Sequence, residues 1–180
     1  MSLIDLLTEN KADIVEKWID HVLNCYPADT ARIFKRQRDK FANPVGYHVT
    51  NTLTQVYKAL IGDEELSELQ EVLEDLVKIL AIQTAKPSDA ASFIYMLKYV
   101  AAEECRKKGI DNFKLNDWLA FEAKVDAVAY AVFDLYMASR ERLYQVRINE
   151  LKSGNHILTD GACPSAAMRR NKARQTELKP

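Results

Sequence analysis

The stretch LNDWLAFEAKVDAVAYAVFDLYMASRERLYQVRINELK, residues 115–152, contains neither glycine nor proline. Trp118, Phe121, Val125, Val128, Val132 and Leu135 recur at intervals of three and four, with Tyr136 beside them, which is the spacing of one helix face. Leu143, Val146 and Leu151 continue the pattern more sparsely. At a rise of 1.5 Å per residue, about 38 residues span roughly 57 Å, more than the width of a domain this size. The last third of this helix is therefore expected to project or to pair with a second copy.

Working outward, the same periodicity fills the rest of the chain. Leu3, Leu6, Leu7, Ile14, Trp18, Val22 and Cys25 predict a helix over residues 3–26, kinked near Asn10 and ended by Tyr26-Pro27. Residues 28–40 read as one short helix with Ile33 and Phe34 inward and Lys35, Arg36, Arg38 and Lys40 at its end. Asn43 suits an N-cap and Pro44 the first helical position, where its missing N–H costs nothing. Val45, Val49, Leu53, Val56 and Leu60 form that helix's stripe, and Gly62 fits its C-terminal stop. Asp63 is expected to cap the next helix, whose Leu66, Leu69, Leu73, Leu76, Val77 and Leu80 make the strongest apolar stripe in the chain. Ser88 is expected to cap a helix reaching residue 108, with Phe93, Met96, Leu97, Val100 and Cys105 on one side and Gly109 as its stop. A loop follows over residues 110–114. The result is an all-α bundle of six or seven helices with a long C-terminal helix. Its expected core is Trp18, Leu53, Leu69, Leu73, Leu76, Met96, Val100, Phe121, Val125 and Val128, with Trp118 and Tyr136 at the edge or at a dimer contact.

Composition agrees with one globular domain: 180 residues, 48% hydrophobic and 28% charged, with only 5 Gly and 5 Pro. We expect the domain to occupy residues 1–152, followed by a disordered basic tail over 153–180. Residues 152–180 hold six Lys/Arg against two Asp/Glu, which leaves 19 against 24 for the remainder. This asymmetry suits either an interaction arm or simple solubility. The N-terminus is acidic where a secretory leader needs a basic start, and no run reaches about 18 apolar residues, so a cytoplasmic chain without a membrane span is expected. The cysteines, Cys25, Cys105 and Cys163, form no CxxC pair, so neither a disulfide framework nor a zinc site is indicated, and Cys25 and Cys105 are expected to be buried.

Catalysis needs a nucleophile, an acid/base pair or a metal, and none leaves its trace. His21, His48 and His156 are the histidines; no HExxH occurs and no Glu stands three residues before a His. Glu103, Glu104 and Glu122 lie on amphipathic helices, where acidic residues are usually solvated. Neither GxGxxG nor GxxxxGK[ST] is present, which removes support for nucleotide binding. Residues 35–40 and 169–174 are basic clusters, but the sequence pI is about 6.3 and nucleic-acid binding is not expected.

The segment IFKRQRDKFANPVGYHV from Ile33, with its N-P-V-G turn after Asp39-x-Phe41, together with Ile14-Val15-Glu16-Lys17-Trp18, resembles the N-terminal domain family of RsbT co-antagonist (RsbR-type stressosome) proteins. The resemblance covers roughly residues 3–150. It implies a helical, globin-like sensory module that dimerises, binds no haem and is joined by its last helix to a STAS output domain. Only about 28 residues follow the long helix here, with no room for that output domain, so this chain reads as a stand-alone member and direct antagonism of an RsbT-like kinase is not expected. Similar stand-alone members in anaerobes that reduce sulfur compounds suggest a haem- or small-ligand-binding redox sensor as the alternative. The helix over residues 64–84, where a globin-like order places the proximal ligand, has no histidine, so no cofactor is expected.

The motif residues Asp39, Phe41, Asn43, Pro44, Val45 and Gly46 also have a physical reading. Asp39 and Asn43 can bond local backbone, Phe41 can anchor the loop, and Gly46 lets a neighbour approach the helix closely. A shaped helix start explains them without a ligand, while the functional alternative is a ligand crevice at Asn43, Tyr47 and His48. Function is expected to rest on a homodimer that relays a signal to a protein partner through the C-terminal helix. Leu135, Leu143, Val146 and Leu151 form its seam.

Overall fold

The computed structural model describes residues 2–36, 39–62, 69–83, 86–108 and 114–153. The expectations for Gln37, Arg38, Asp63, Leu66, Gly109, the loop at 110–113 and the tail from 154, with His156, Cys163 and the cluster at 169–174, lie outside those residues. Among the described residues there are seven helices and no strand: α1 Leu3–Glu9, α2 Lys11–Leu23, α3 Ala28–Arg36, α4 Pro44–Ile61, α5 Gln70–Ile82, α6 Pro87–Lys107 and α7 Leu115–Ser153. The all-α architecture with a long C-terminal helix is thus the one read from the sequence.

Several boundaries differ for local reasons. The helix expected over residues 3–26 is two helices. Asn10 leaves helical geometry at φ −99°, ψ 15°, and its side chain donates 2.8 Å to the Leu6 carbonyl at the end of α1. α1 begins with a reciprocal capping box, Ser2 accepting from the Asp5 amide while Asp5 accepts from the Ser2 amide. α2 ends at Leu23, short of Tyr26-Pro27. α6 begins at Pro87 with Lys86 in the cap position, not at Ser88, because proline tolerates the first turn. Gly62 caps α4 in an extended conformation at φ −98°, so it stops the helix without the left-handed turn that favours glycine.

The chain divides into two units, Met1–Met137 and Ala138–Pro180. In the first, α2 packs on α4 and α6, and α4 on α5. Leu6, Leu7, Ile14, Trp18, Leu53, Val56, Leu60, Leu73, Leu76, Ile94, Leu97 and Val100 form one connected core. α7 adds Phe121, Val125, Val128, Val132 and Tyr136. Of the expected core, all are buried except Met96, which packs half-buried against it, and Tyr136 is fully buried rather than at the edge. Three apolar expectations fail: Cys25 is exposed, Ile33 is 60% exposed on the outer side of α3, and Phe41 is 93% exposed. Phe34 alone of the α3 pair turns inward, edge-on to Tyr26 at 5.1 Å between ring centres.

Buried polar groups tie the helices together. The Trp18 indole donates 2.6 Å to the Phe93 carbonyl, joining α2 to α6, and the Tyr57 hydroxyl donates 2.8 Å to the Leu7 carbonyl, joining α4 to α1. Burial raises the Tyr57 hydroxyl's pKa well above its ordinary value, so it stays protonated as the donor. The Thr52 hydroxyl donates 3.1 Å to the Val72 carbonyl beside α5.

Glu104 departs from the solvated carboxylate expected on α6. It is 3% exposed and bonded to Lys17 of α2, with Lys107 at 3.4 Å. The Lys17 hydrogen bond holds its carboxyl below the ordinary 4.5 against the opposing effect of desolvation. A depressed folded-state pKa contributes stability that is present above the unfolded value and lost as pH falls through the folded one. Lys17→Met should therefore flatten the acid limb of the stability curve below about pH 4.5. Urea titrations from pH 3 to 7 check this, and coincident acid limbs for variant and wild type would contradict it.

The second unit's described part is the 138–153 portion of α7, and none of its residues is buried. Leu143, Tyr144, Val146, Ile148 and Leu151 are each between 41% and 56% exposed. Leu143 and Val146 are spaced i, i+3, while Tyr144, Ile148 and Leu151 are spaced i, i+4, i+7, so residues 138–153 offer two neighbouring apolar rows. Leu135 belongs to the first unit and packs partly on its core.

Candidate functional site

Residues 39–46 of the motif form a hydrogen-bonded turn that leads into α4. The Asp39 carboxylate accepts the Phe41 and Ala42 amides at 2.9 and 2.8 Å, and the Asp39 carbonyl accepts the Asn43 amide at 2.9 Å. Asn43 then caps α4: its side-chain oxygen accepts the Gly46 amide at 2.9 Å and its nitrogen donates 2.8 Å to the Phe34 carbonyl at the end of α3. Pro44 opens the helix, and Val45 is buried beneath it. A Cβ at Gly46 would run into the Asn43 amide and the Phe34 carbonyl oxygen, so the close approach expected there is real. The turn needs no anchor from Phe41, which it holds out into solvent.

Of the three crevice residues, Asn43 is 2% exposed, with both ends of its side chain engaged in the cap. Tyr47 lines a solvent-open groove of about 1030 Å³ on the first unit, and His48 does not line it but meets the Tyr47 ring edge-on at 5.3 Å. The groove's floor is Val15, Ile19, Leu23 and Phe34, and its α4 wall is Tyr47, Thr50, Asn51 and Thr54. Glu9, Lys11, Glu16 and Asp20 stand on the other side, and Asp20 pairs with Lys35 at 2.9 Å.

The sequence reading missed this groove. Its one available signal was that Tyr47, Thr50, Asn51 and Thr54 share a helix face by their i, i+3, i+4, i+7 spacing. Its polar lining is made of carboxylates, lysines, hydroxyls and the Asn51 amide. Cys105 lies in the core, where burial pushes its thiol's pKa up and keeps it unreactive. His21 is exposed and meets Tyr99 edge-on at 6.1 Å. Among the described residues no group of three or more His, Cys, Asp or Glu could hold a metal ion, and no helix is long and apolar enough to cross a membrane.

Comparison with known proteins places this geometry in context. Residues 12–151 match the family model described as the RsbT co-antagonist protein rsbRD N-terminal domain. An uncharacterized protein of Archaeoglobus fulgidus is 26% identical over 149 residues, covering 78% of this chain and 84% of its own. No solved structure matches.

Proposed function

The chain belongs to the RsbT co-antagonist protein rsbRD N-terminal domain family, and from that premise we propose that it is a non-enzymatic sensory or regulatory module, working in the cytoplasm as a homodimer. Its long C-terminal helix passes a change in the core to a signalling protein partner. The observation that carries this reading is residues 138–153. A helical segment of about 16 residues is marginal in water by itself, yet this one continues unbroken and carries five large apolar side chains that nothing buries. Covering each would gain roughly 1–3 kcal/mol, so Leu143, Val146 and Leu151, with Tyr144 and Ile148, supply a pairing seam. Arg142 and Arg147 contribute little as exposed charges. A signal works on such a pair only by favouring one of two helix arrangements over the other.

The test is a pull-down with the full chain and with residues 153–180 removed, beside light scattering on both. The reading predicts a dimer from each form. Partner retained by both assigns the contact to the helix, and partner lost on truncation assigns it to the basic tail. A monomer at tens of micromolar that retains no partner would remove the relay.

A further inference from the structure

The motif spends its buried polar groups on holding one turn, and the large side chain which that turn presents is Phe41, at 93% exposure. Arg36 and Lys40 flank it, both exposed and without an ion pair among the described residues; Lys40 lies 5.7 Å over the Tyr47 ring. The foot of the same turn, Phe34 and Gly46, lines the α2/α4 groove. That groove has an apolar floor; on its rim Asp20 is paired with Lys35, and beside Lys11 stand Glu9 and Glu16, exposed carboxylates without an ion pair among the described residues, which leaves the rim net acidic. A basic aromatic knob and an acid-rimmed apolar groove therefore sit side by side on one surface.

We propose that this surface is self-complementary: Phe41 of one copy enters the α2/α4 groove of a second, with Arg36 and Lys40 meeting Glu9 and Glu16, and the contact repeats about a two-fold axis. Charge selects this occupant. An anionic membrane or nucleic acid drawn to Arg36 and Lys40 would meet the Glu9 and Glu16 carboxylates on the same face, whereas a second copy sets Arg36 and Lys40 against those two carboxylates. The groove's volume, at the upper end of the range for small-molecule sites, admits an aromatic side chain on its turn. Aromatic side chains and arginine are also enriched at the cores of protein interfaces. The contact is separate from pairing through residues 138–153.

Sedimentation velocity on the full chain from about 5 to 200 µM tests it. Wild type should show concentration-dependent association, and Phe41→Ala should raise the dissociation constant of that step at least about tenfold. Because Phe41 touches solvent, the thermal transition should not move. Glu9→Lys/Glu16→Lys and Arg36→Glu/Lys40→Glu should each lose that step alone, and an equimolar mixture of the two should recover it, because the knob–groove contacts of the mixed pair then join opposite charges. Wild-type association in Phe41→Ala, or a mixture that stays apart, overturns the proposal and leaves the groove to a small molecule or another protein. Leu143→Asp separates the two interfaces: it should disturb helix pairing and leave the Phe41→Ala effect in place.

Discussion

Trp18→Ala should lower the stability of the first unit by about 4 kcal/mol, the largest effect expected of any single substitution here. Trp18 is fully buried where α2 meets α6, and truncation removes its packing against the core while the surrounding helices close the cavity only in part. It also deprives the Phe93 carbonyl of the indole donor at 2.6 Å. For a chain of this length such a loss lowers Tm by roughly 8–16 °C. Trp18→Phe separates the two contributions, because it keeps most of the apolar volume and should cost only about 1–2 kcal/mol. Thermal unfolding followed by circular dichroism measures both. Equal losses in the two variants would mean that the hydrogen bond, and not packing, dominates the site.

Gly46→Ala should destabilise by about 1–2 kcal/mol net, reversing the sign usual for this exchange. In an ordinary helix alanine is better than glycine by about 1 kcal/mol. Here the added Cβ meets the Asn43 amide, which caps α4, and the Phe34 carbonyl, which ends α3. Relieving the overlap means losing the cap, worth about 0.5–2 kcal/mol, or shifting backbone in a packed region at a cost of about 1–3 kcal/mol. The two neighbours can be told apart by a double-mutant cycle. If the Asn43 amide is the main obstacle, Gly46→Ala costs less in an Asn43→Ala background, and if the Phe34 carbonyl is, the penalties add. A Gly46→Ala protein as stable as wild type would show that the close approach is not required.

The helices were readable because their apolar residues keep a period of 3.6 over many turns, as in α5 and α7, and such patterns outweigh any single residue. Predictions failed where a segment is too short to show a period. Ile33 reads as inward and Phe41 as an anchor on residue type alone, yet α3 buries only Ala31 and half-buries Phe34, and Cys25 falls beyond the end of α2 at Leu23, where the helical spacing that places it inside no longer holds. Asn10 divides α1 from α2 through a side-chain bond to Leu6, which helical periodicity does not display. Glu104 could not be read as buried because its partner, Lys17, lies 87 residues away in sequence. The motif was half legible: capping chemistry pointed to Asp39, Asn43 and Gly46, but which way Phe41 points depends on the turn as a whole. The groove was not legible, since it arises from the spacing of α2 and α4 and not from either alone.

In the proposed relay, residues 138–153 pair with a second copy through their exposed apolar rows. Multi-angle light scattering of the full chain, beside Leu143→Asp/Val146→Asp, tests it most directly at about 10–50 µM. Both positions are exposed, so the substitutions leave the core of the first unit intact. The wild type should have a mass of at least twice the 20.5 kDa chain, and the variant a lower one. A wild type of one chain's mass, or a variant whose mass equals that of wild type, would contradict it.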